Sequence, residues 1–117
     1  MMERTIVRTL VSVSLILLTF LLNGCGQEKA TWQEVQTRGW RSSHYDDDHR
    51  IAQALTTNAA KGCAYYRFKS LEKDPGSRRV VWVECENVQG SRFHYIVWPG
   101  SKKLAYVLDE SQVRRHL

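Results

Sequence analysis

Residues 78–98 read Arg78-Arg-Val-Val-Trp-Val-Glu-Cys-Glu-Asn-Val-Gln-Gly-Ser-Arg-Phe-His-Tyr-Ile-Val-Trp98 and contain the clearest β-strand pattern of the chain. On either side of a polar connection at 87–91, side chains alternate with a period of two, which predicts β-strands at 78–86 and 92–98. Because the connection is short, the two strands should form an antiparallel hairpin.

The same period extends outward in both directions along the chain. Cys63 to Ser70 predicts a preceding strand, which ends before the turn sequence Asp74-Pro75-Gly76. Lys103 to Leu108 predicts a following strand after Pro99-Gly100, and the short connections make the four strands an antiparallel meander. The apolar face of this sheet should carry Tyr66, Phe68, Val81, Val83, Cys85, Phe93, Tyr95, Val97, Leu104, Tyr106 and Leu108.

A short helix is predicted over residues 32–38, upstream of the strands. Thr31 and Glu34 fit a capping box at its start, and Gly39 suits a left-handed C-cap at its end. Residues 40–45 are expected to be a connector.

A longer amphipathic helix is predicted over residues 46–61. Asp46-Asp47-Asp48 would occupy its first turn, where acidic groups favour the positive end of the helix dipole. Apolar side chains recur at helical spacing at Ile51, Ala52, Leu55 and Ala59. Both helices packed on the four-stranded meander give an α+β domain, in which residues 109–117 are a last helical turn or a frayed end.

Cys63 and Cys85 are the two cysteines of the chain besides Cys25. In an oxidising compartment an isolated pair in a small domain is normally bridged, so we predict a Cys63–Cys85 disulfide. A zinc or redox site would need closely spaced cysteines such as Cys-x-x-Cys, which the sequence lacks.

Residues 1–24 have the layout of a secretory signal peptide. Arg4 and Arg8 make the start basic, and Leu10 to Leu22 is an uncharged, largely apolar run of thirteen residues. A bilayer-spanning helix needs about 20 apolar residues. The length therefore favours a cleaved signal, with an uncleaved signal anchor as the alternative.

The end of this run, Leu22-Asn23-Gly24-Cys25, resembles the lipobox of bacterial lipoproteins. The resemblance implies cleavage before Cys25 and attachment of a diacylglycerol and an acyl chain such as palmitate to that residue. Residues 25–30 would then be a lipidated tether, and residues 31–117 a single α+β domain. Gly26-Gln27 after the cysteine implies the periplasmic face of the cell outer membrane, if the source is Gram-negative.

The second face of the sheet mixes aromatic and charged side chains, which suits recognition of a protein partner. The candidate binding residues on this face are Trp82, Arg92, His94 and Trp98. The alternative is that the short helix brings Trp32 and Trp40 over the face, which would make its tryptophans part of the core.

The sequence contains no recognisable catalytic or metal-binding constellation. His44 and His49 are five residues apart, a poor spacing for two ligands on one helix face, and helix capping explains the aspartates between them. His94 could pair with Glu84 across the sheet, but no pocket or nucleophile can be argued beside them. We therefore predict no enzymatic activity, no metal and no cofactor.

The net charge of +5 comes from scattered basic residues. Arg78-Arg79 and Lys102-Lys103 lie at strand ends, where they are either solvated or contact anionic lipid headgroups. A nucleic-acid partner is not expected outside the cytoplasm. We predict a lipid-anchored, non-enzymatic lipoprotein of the cell envelope that binds an envelope protein, as an accessory module in assembly, secretion or conjugation machinery or in exclusion. The alternatives are a periplasmic inhibitor of a hydrolase such as lysozyme and a peptidoglycan-binding module.

Overall fold

The computed structural model describes residues 28–46 and 49–117. The predicted signal peptide, the lipobox and Cys25 lie outside these residues, as do Asp47 and Asp48. The described residues form an α+β domain built on one antiparallel sheet, as the alternation of side chains predicts.

The sheet has five strands, and each strand pairs with its neighbours in the sequence. The strands are β1 (Arg41–Ser42), β2 (Tyr65–Ser70), β3 (Val81–Glu86), β4 (Arg92–Trp98) and β5 (Lys103–Val107). The last four are the predicted meander. The first was not predicted, since two residues are too few to show a period, and it pairs with the end of β2 through Arg41 opposite Phe68.

Within residues 28–46 and 49–117, three short α-helices accompany the sheet. They are α1 (Trp32–Thr37), α2 (Arg50–Thr57) and α3 (Glu110–Arg114), and a 3-10 turn lies at Ser43–Tyr45. Thr31 caps α1 as predicted, because its Oγ1 accepts a hydrogen bond from Glu34 N at 3.2 Å. The predicted C-cap at Gly39 is wrong. Arg38 ends the helix instead, in an extended conformation.

Helix α2 is shorter than the predicted 46–61 at both ends. Asp46 precedes the helix and is buried, with its carboxylate accepting hydrogen bonds from Ala52 N at 3.0 Å and from the Tyr66 hydroxyl at 2.6 Å. Asp46 thus satisfies a first-turn N–H from outside the helix. At the other end Ala59 takes a left-handed conformation, φ 50°, and Ala60 N donates to Leu55 O in a Schellman-type ending.

One face of the sheet packs against α2, and its core is largely the one predicted from alternation. The buried residues are Ile51, Ala54, Leu55, Phe68, Val81, Val83, Cys85, Tyr95 and Val97, with Tyr66, Phe93 and Leu104 partly buried beside them. Tyr106 and Leu108 were wrongly assigned to this core, since they are 55% and 68% exposed. They lie on or just after β5, at the sheet edge, beyond the reach of a two-turn helix.

The other face of the sheet is covered by α1, α3 and the chain that follows α1. Its core comprises Ala30, Val35, Leu71, Trp82, Ile96, Val107 and Val113, with Trp32, Trp40 and Trp98 partly buried against it. Residues 28–30, which the sequence assigns to the tether, belong to this layer. Lys29 forms a β-bridge with Glu72, and Ala30 N donates to Leu71 O at 3.0 Å.

The predicted disulfide joins Cys63 to Cys85, with their Cα atoms 4.5 Å apart. It ties the segment before β2 to the end of β3. None of the helices within residues 28–46 and 49–117 is long and apolar enough to cross a bilayer.

Replacing both Cys63 and Cys85 by alanine should lower the free energy of unfolding by about 3 kcal/mol, because the unfolded chain regains the entropy of an open loop. Urea unfolding followed by tryptophan fluorescence measures the change. Val88→Ala is the control, since Val88 is 77% exposed and its truncation should alter stability by less than about 0.5 kcal/mol. An unchanged midpoint in the double variant would contradict the structural role of the bridge.

Candidate functional site

Trp82, the first candidate binding residue, lies in the interior with only 3% of its surface exposed. The ring of Trp40 meets it edge-on at 4.7 Å between centroids, and Trp32 stacks on it at 6.0 Å. The alternative raised by the sequence, in which Trp32 and Trp40 fold over this face, is therefore the observed arrangement. We call these three residues the tryptophan layer.

His94 completes the tryptophan layer from β4. Trp82 Nε1 donates a hydrogen bond to His94 Nδ1 at 3.1 Å, so Nδ1 is the acceptor in this contact. Glu84 is the cross-strand neighbour of His94, as predicted, with Oε2 at 3.9 Å from Nδ1. Its closer contact is Arg67, whose Nη2 lies 2.8 Å from Glu84 Oε1.

Arg92 and Trp98 stand at opposite ends of β4. Six residue steps in a strand span about 20 Å, so the four candidate residues do not converge on a single site. Arg92 is exposed, with Nε 3.7 Å from Glu84 Oε1. Trp98 is half-buried, with its ring 5.9 Å from that of His116.

Lys69 is a charged residue that lies against the tryptophan layer, and the sequence analysis did not identify it. It is 6% exposed, and its Nζ lies 4.5 Å from the ring centre of Trp40 and 5.3 Å from that of Trp82. Burial lowers the pKa of the Lys69 ammonium, and the charge of Arg67 lowers it further. The alternation of side chains along β2 could have indicated the position of Lys69, because it places Lys69 on the same face of the sheet as Arg67.

An apolar cleft of about 450 Å³ opens between the end of α2 and the outer strands. It is lined by Asn58, Ala59, Ala60, Lys61, Phe93, Tyr95, Leu104 and Tyr106. The Tyr95 hydroxyl closes its floor by donating to Lys61 O at 2.8 Å, and burial raises the pKa of Tyr95. Among the residues that the structure describes, the cleft wall contains a cation, Lys61, and no carboxylate.

Strand β5 borders the apolar cleft and is the last strand of the sheet. It pairs with β4 on one side, and no strand of the described part of the chain pairs with its other side. Alternate residues of an edge strand direct their N–H and C=O groups away from the sheet. Tyr106 and Leu108 add exposed apolar surface along this edge.

A second cleft, of about 330 Å³, is rich in arginine. It is lined by Arg50, Arg78, Arg79, Trp98, Gly100 and Ser101, and we call it the arginine cleft. The structure thus brings Arg78-Arg79 beside the turn that precedes Lys102-Lys103. The lysines themselves do not line the cleft.

No group of three or more His, Cys, Asp or Glu side chains within residues 28–46 and 49–117 is placed to hold a metal ion. Asp46 is engaged in hydrogen bonds to Ala52 and Tyr66, while His44 is exposed. Comparison with known proteins gives no further guidance, since no family model, curated protein or solved structure matches the chain.

Trp82→Ala should lower the free energy of unfolding by about 3–5 kcal/mol, because it removes the centre of the tryptophan layer and strips His94 of its donor. Tyr106→Ala is the control, because Tyr106 is 55% exposed and its truncation should cost less than about 1 kcal/mol. Thermal unfolding followed by circular dichroism measures both variants. Similar losses in the two would show that Trp82 is not the core residue described here.

Proposed function

We propose that the protein is a lipid-anchored, non-enzymatic accessory module of the cell envelope that binds another envelope protein through β5. The anchor rests on the likeness of Leu22-Asn23-Gly24-Cys25 to a lipobox. The binding role rests on one observation, the outer edge of β5 beside the apolar cleft, with which no described strand pairs.

The proposed anchor and the proposed binding strand lie at opposite edges of the sheet. Residues 28–30 pair with the chain just after β2, so the tether meets the domain near that strand. Strand β5 lies three strand spacings further along, which is about 14 Å. A tether attached near β2 would therefore leave the outer edge of β5 uncovered, where a partner can reach it.

The partner that fits this edge is an extended, acidic segment of an envelope protein with an apolar anchor residue. Extended chain can add to an edge strand through main-chain hydrogen bonds, while a pocket beside the strand takes an apolar side chain. Lys61, Lys102 and Lys103 are exposed around the cleft and the start of β5. Carboxylates of the partner would complement these cations, as interface charges do.

Labelled palmitate supplied to the expressing cells should be incorporated into the wild-type protein and not into Cys25→Ser. Intact mass should show a chain that begins at Cys25 and carries a diacylglycerol and an acyl chain, because two or three chains hold a protein firmly at a membrane. Retention of Met1 to Gly24, or an unmodified thiol at Cys25, would remove the anchor from the proposal.

Tyr106→Ala should weaken binding of the synthetic peptide Glu-Val-Glu-Phe-Glu-Val about tenfold, since an interface tyrosine beside a pocket typically contributes about 1–2 kcal/mol. Fluorescence anisotropy of the labelled peptide measures the affinity. Tyr65→Ala is the matched control, because Tyr65 is similarly exposed, at 66% against 55%, but lies on β2. It should change the affinity less than about twofold.

A second peptide separates charge recognition from non-specific adhesion. Lysines in place of the glutamates should abolish binding, because the rim of the apolar cleft is cationic. Equal binding of the two peptides, equal losses in the two tyrosine variants, or no binding of either peptide would each refute the proposed partner.

A further inference from the structure

The walls of the apolar cleft are fixed by contacts within the protein itself. Asn58, just after α2, donates through Nδ2 to Ala54 O at 2.8 Å and to Lys102 O at 2.7 Å, so it joins the helix to the start of β5. The Cys63–Cys85 disulfide holds the segment that follows this wall to the end of β3. A preformed pocket loses little entropy on binding and can therefore select its occupant by shape and chemistry.

Three aromatic rings line the apolar cleft. Tyr95 and Tyr106 are cross-strand neighbours, and their rings meet edge-to-face at 5.6 Å between centroids. Phe93 shares their face of the sheet, and its ring lies against the backbone of Gly62, where a Cβ atom would be 2.2 Å from Phe93 Cδ2. Aromatic rings attract a further ring, in offset or edge-to-face contact, beyond what its buried area alone contributes. The surface therefore favours an aromatic occupant over an aliphatic one.

Two polar side chains of the cleft restrict the choice of occupant further. Both hydrogen bonds of Asn58 use its amide nitrogen as the donor, so the group that it can still offer is the acceptor oxygen Oδ1. Lys61 is exposed at the same cleft, and its ammonium can lie over the face of a bound ring. An occupant that uses both groups has a large aromatic ring and a hydrogen-bond donor.

We propose that the apolar cleft binds a tryptophan side chain of the partner's extended segment. This inference rests on the proposed function, in which that segment pairs with β5, and it specifies the anchor residue. The indole ring packs among the three aromatic rings, beneath the Lys61 ammonium, and its N–H donates to Asn58 Oδ1. Tryptophan makes the strongest cation–π contact of the aromatic residues, and its N–H is a donor only, which matches a carbonyl oxygen.

The size of the cleft agrees with this occupant. Its volume of about 450 Å³ lies within the range of about 300–1,000 Å³ that is typical of pockets for small molecules, so it accommodates the largest side chain. Tyr95 is 4% exposed at the floor, whereas Tyr106 is 55% exposed at the opening. A ring that enters between them covers apolar surface of Tyr106 that is otherwise in contact with water.

The test compares three labelled peptides by fluorescence anisotropy, which leaves the protein unchanged. They are Glu-Val-Glu-Xaa-Glu-Val with tryptophan, benzothienylalanine or leucine at Xaa, and benzothienylalanine keeps the shape of the indole while sulfur replaces its N–H. The tryptophan peptide should bind about tenfold more tightly than the leucine peptide, because leucine cannot make the ring contacts. It should bind about threefold more tightly than the benzothienylalanine peptide, which has no donor for Asn58 Oδ1.

Lys61→Gln separates the cation–π contact from general attraction between charges. Lys61 contacts the Tyr95 hydroxyl through its backbone carbonyl, and its side chain is exposed, so the substitution should leave the fold intact. Weaker attraction to the glutamates affects the tryptophan and leucine peptides alike, whereas loss of the cation–π contact affects the tryptophan peptide alone. The affinity of the tryptophan peptide should therefore fall about threefold more than that of the leucine peptide. Lys103→Gln is the matched control and should weaken both peptides equally.

The outcomes distinguish failure of the tryptophan anchor from failure of the proposed function. The expected order of the three peptides, together with the larger effect of Lys61→Gln on the tryptophan peptide, supports the anchor. Equal affinity of the tryptophan peptide and either of the others, or equal effects of Lys61→Gln on the tryptophan and leucine peptides, overturns it. Binding that Tyr106→Ala weakens would then still support recognition along β5. If none of the three peptides binds, the proposed partner is wrong and the anchor is wrong with it.

Discussion

Strand β3 is buried on both of its faces, and most of the structure follows from that constraint. Every residue from Val81 to Cys85 is buried. Val81, Val83 and Cys85 pack towards α2, while Trp82 belongs to the second core with α1 and α3. A sheet of this size cannot hide both faces with one two-turn helix, so each terminal segment of the domain has to contribute a covering element.

Two-sided burial also brings charged groups into the interior, and each is matched by a partner. Glu84 is 8% exposed and has Arg67 and Arg92 within 3.7 Å of its carboxylate. Asp46 accepts two hydrogen bonds and faces Arg78. Removing one partner of such a pair is far more damaging than losing a surface ion pair, because a charge is then left buried. The contacts of these residues are accounted for by the packing of the fold.

Alternation in the sequence was enough to predict four strands, their order and the face that packs on α2, because a period of two reports which side chains share a face. It could not predict which segment covers the second face, since Trp32, Trp40 and Trp82 are far apart in the sequence and meet only through tertiary packing. The start of α2 was misjudged for a related reason. The position of Asp46 in the sequence is typical of an acidic residue in the first turn of a helix. In the structure its carboxylate instead accepts hydrogen bonds from Tyr66 and Ala52. The exposure of Tyr106 depends on how far α2 extends over the sheet, and the sequence pattern does not indicate that distance.

Burial in the structure changes the interpretation of the candidate binding residues. Trp82 and His94 hydrogen-bond each other within the core, whereas Trp98 lines the arginine cleft at the opposite end of β4 from Arg92. The surface that we propose for recognition is instead the edge of the sheet along β5. A sheet that is closed by helices on both faces can recognise an extended chain only along its free edge, since that is where unpaired main-chain groups meet solvent. The opposite side of the sheet, where Lys29 joins Glu72, is occupied by the chain's own N-terminal segment. The proposed anchor at one side of the sheet and the proposed binding edge at the other therefore do not compete for the same surface.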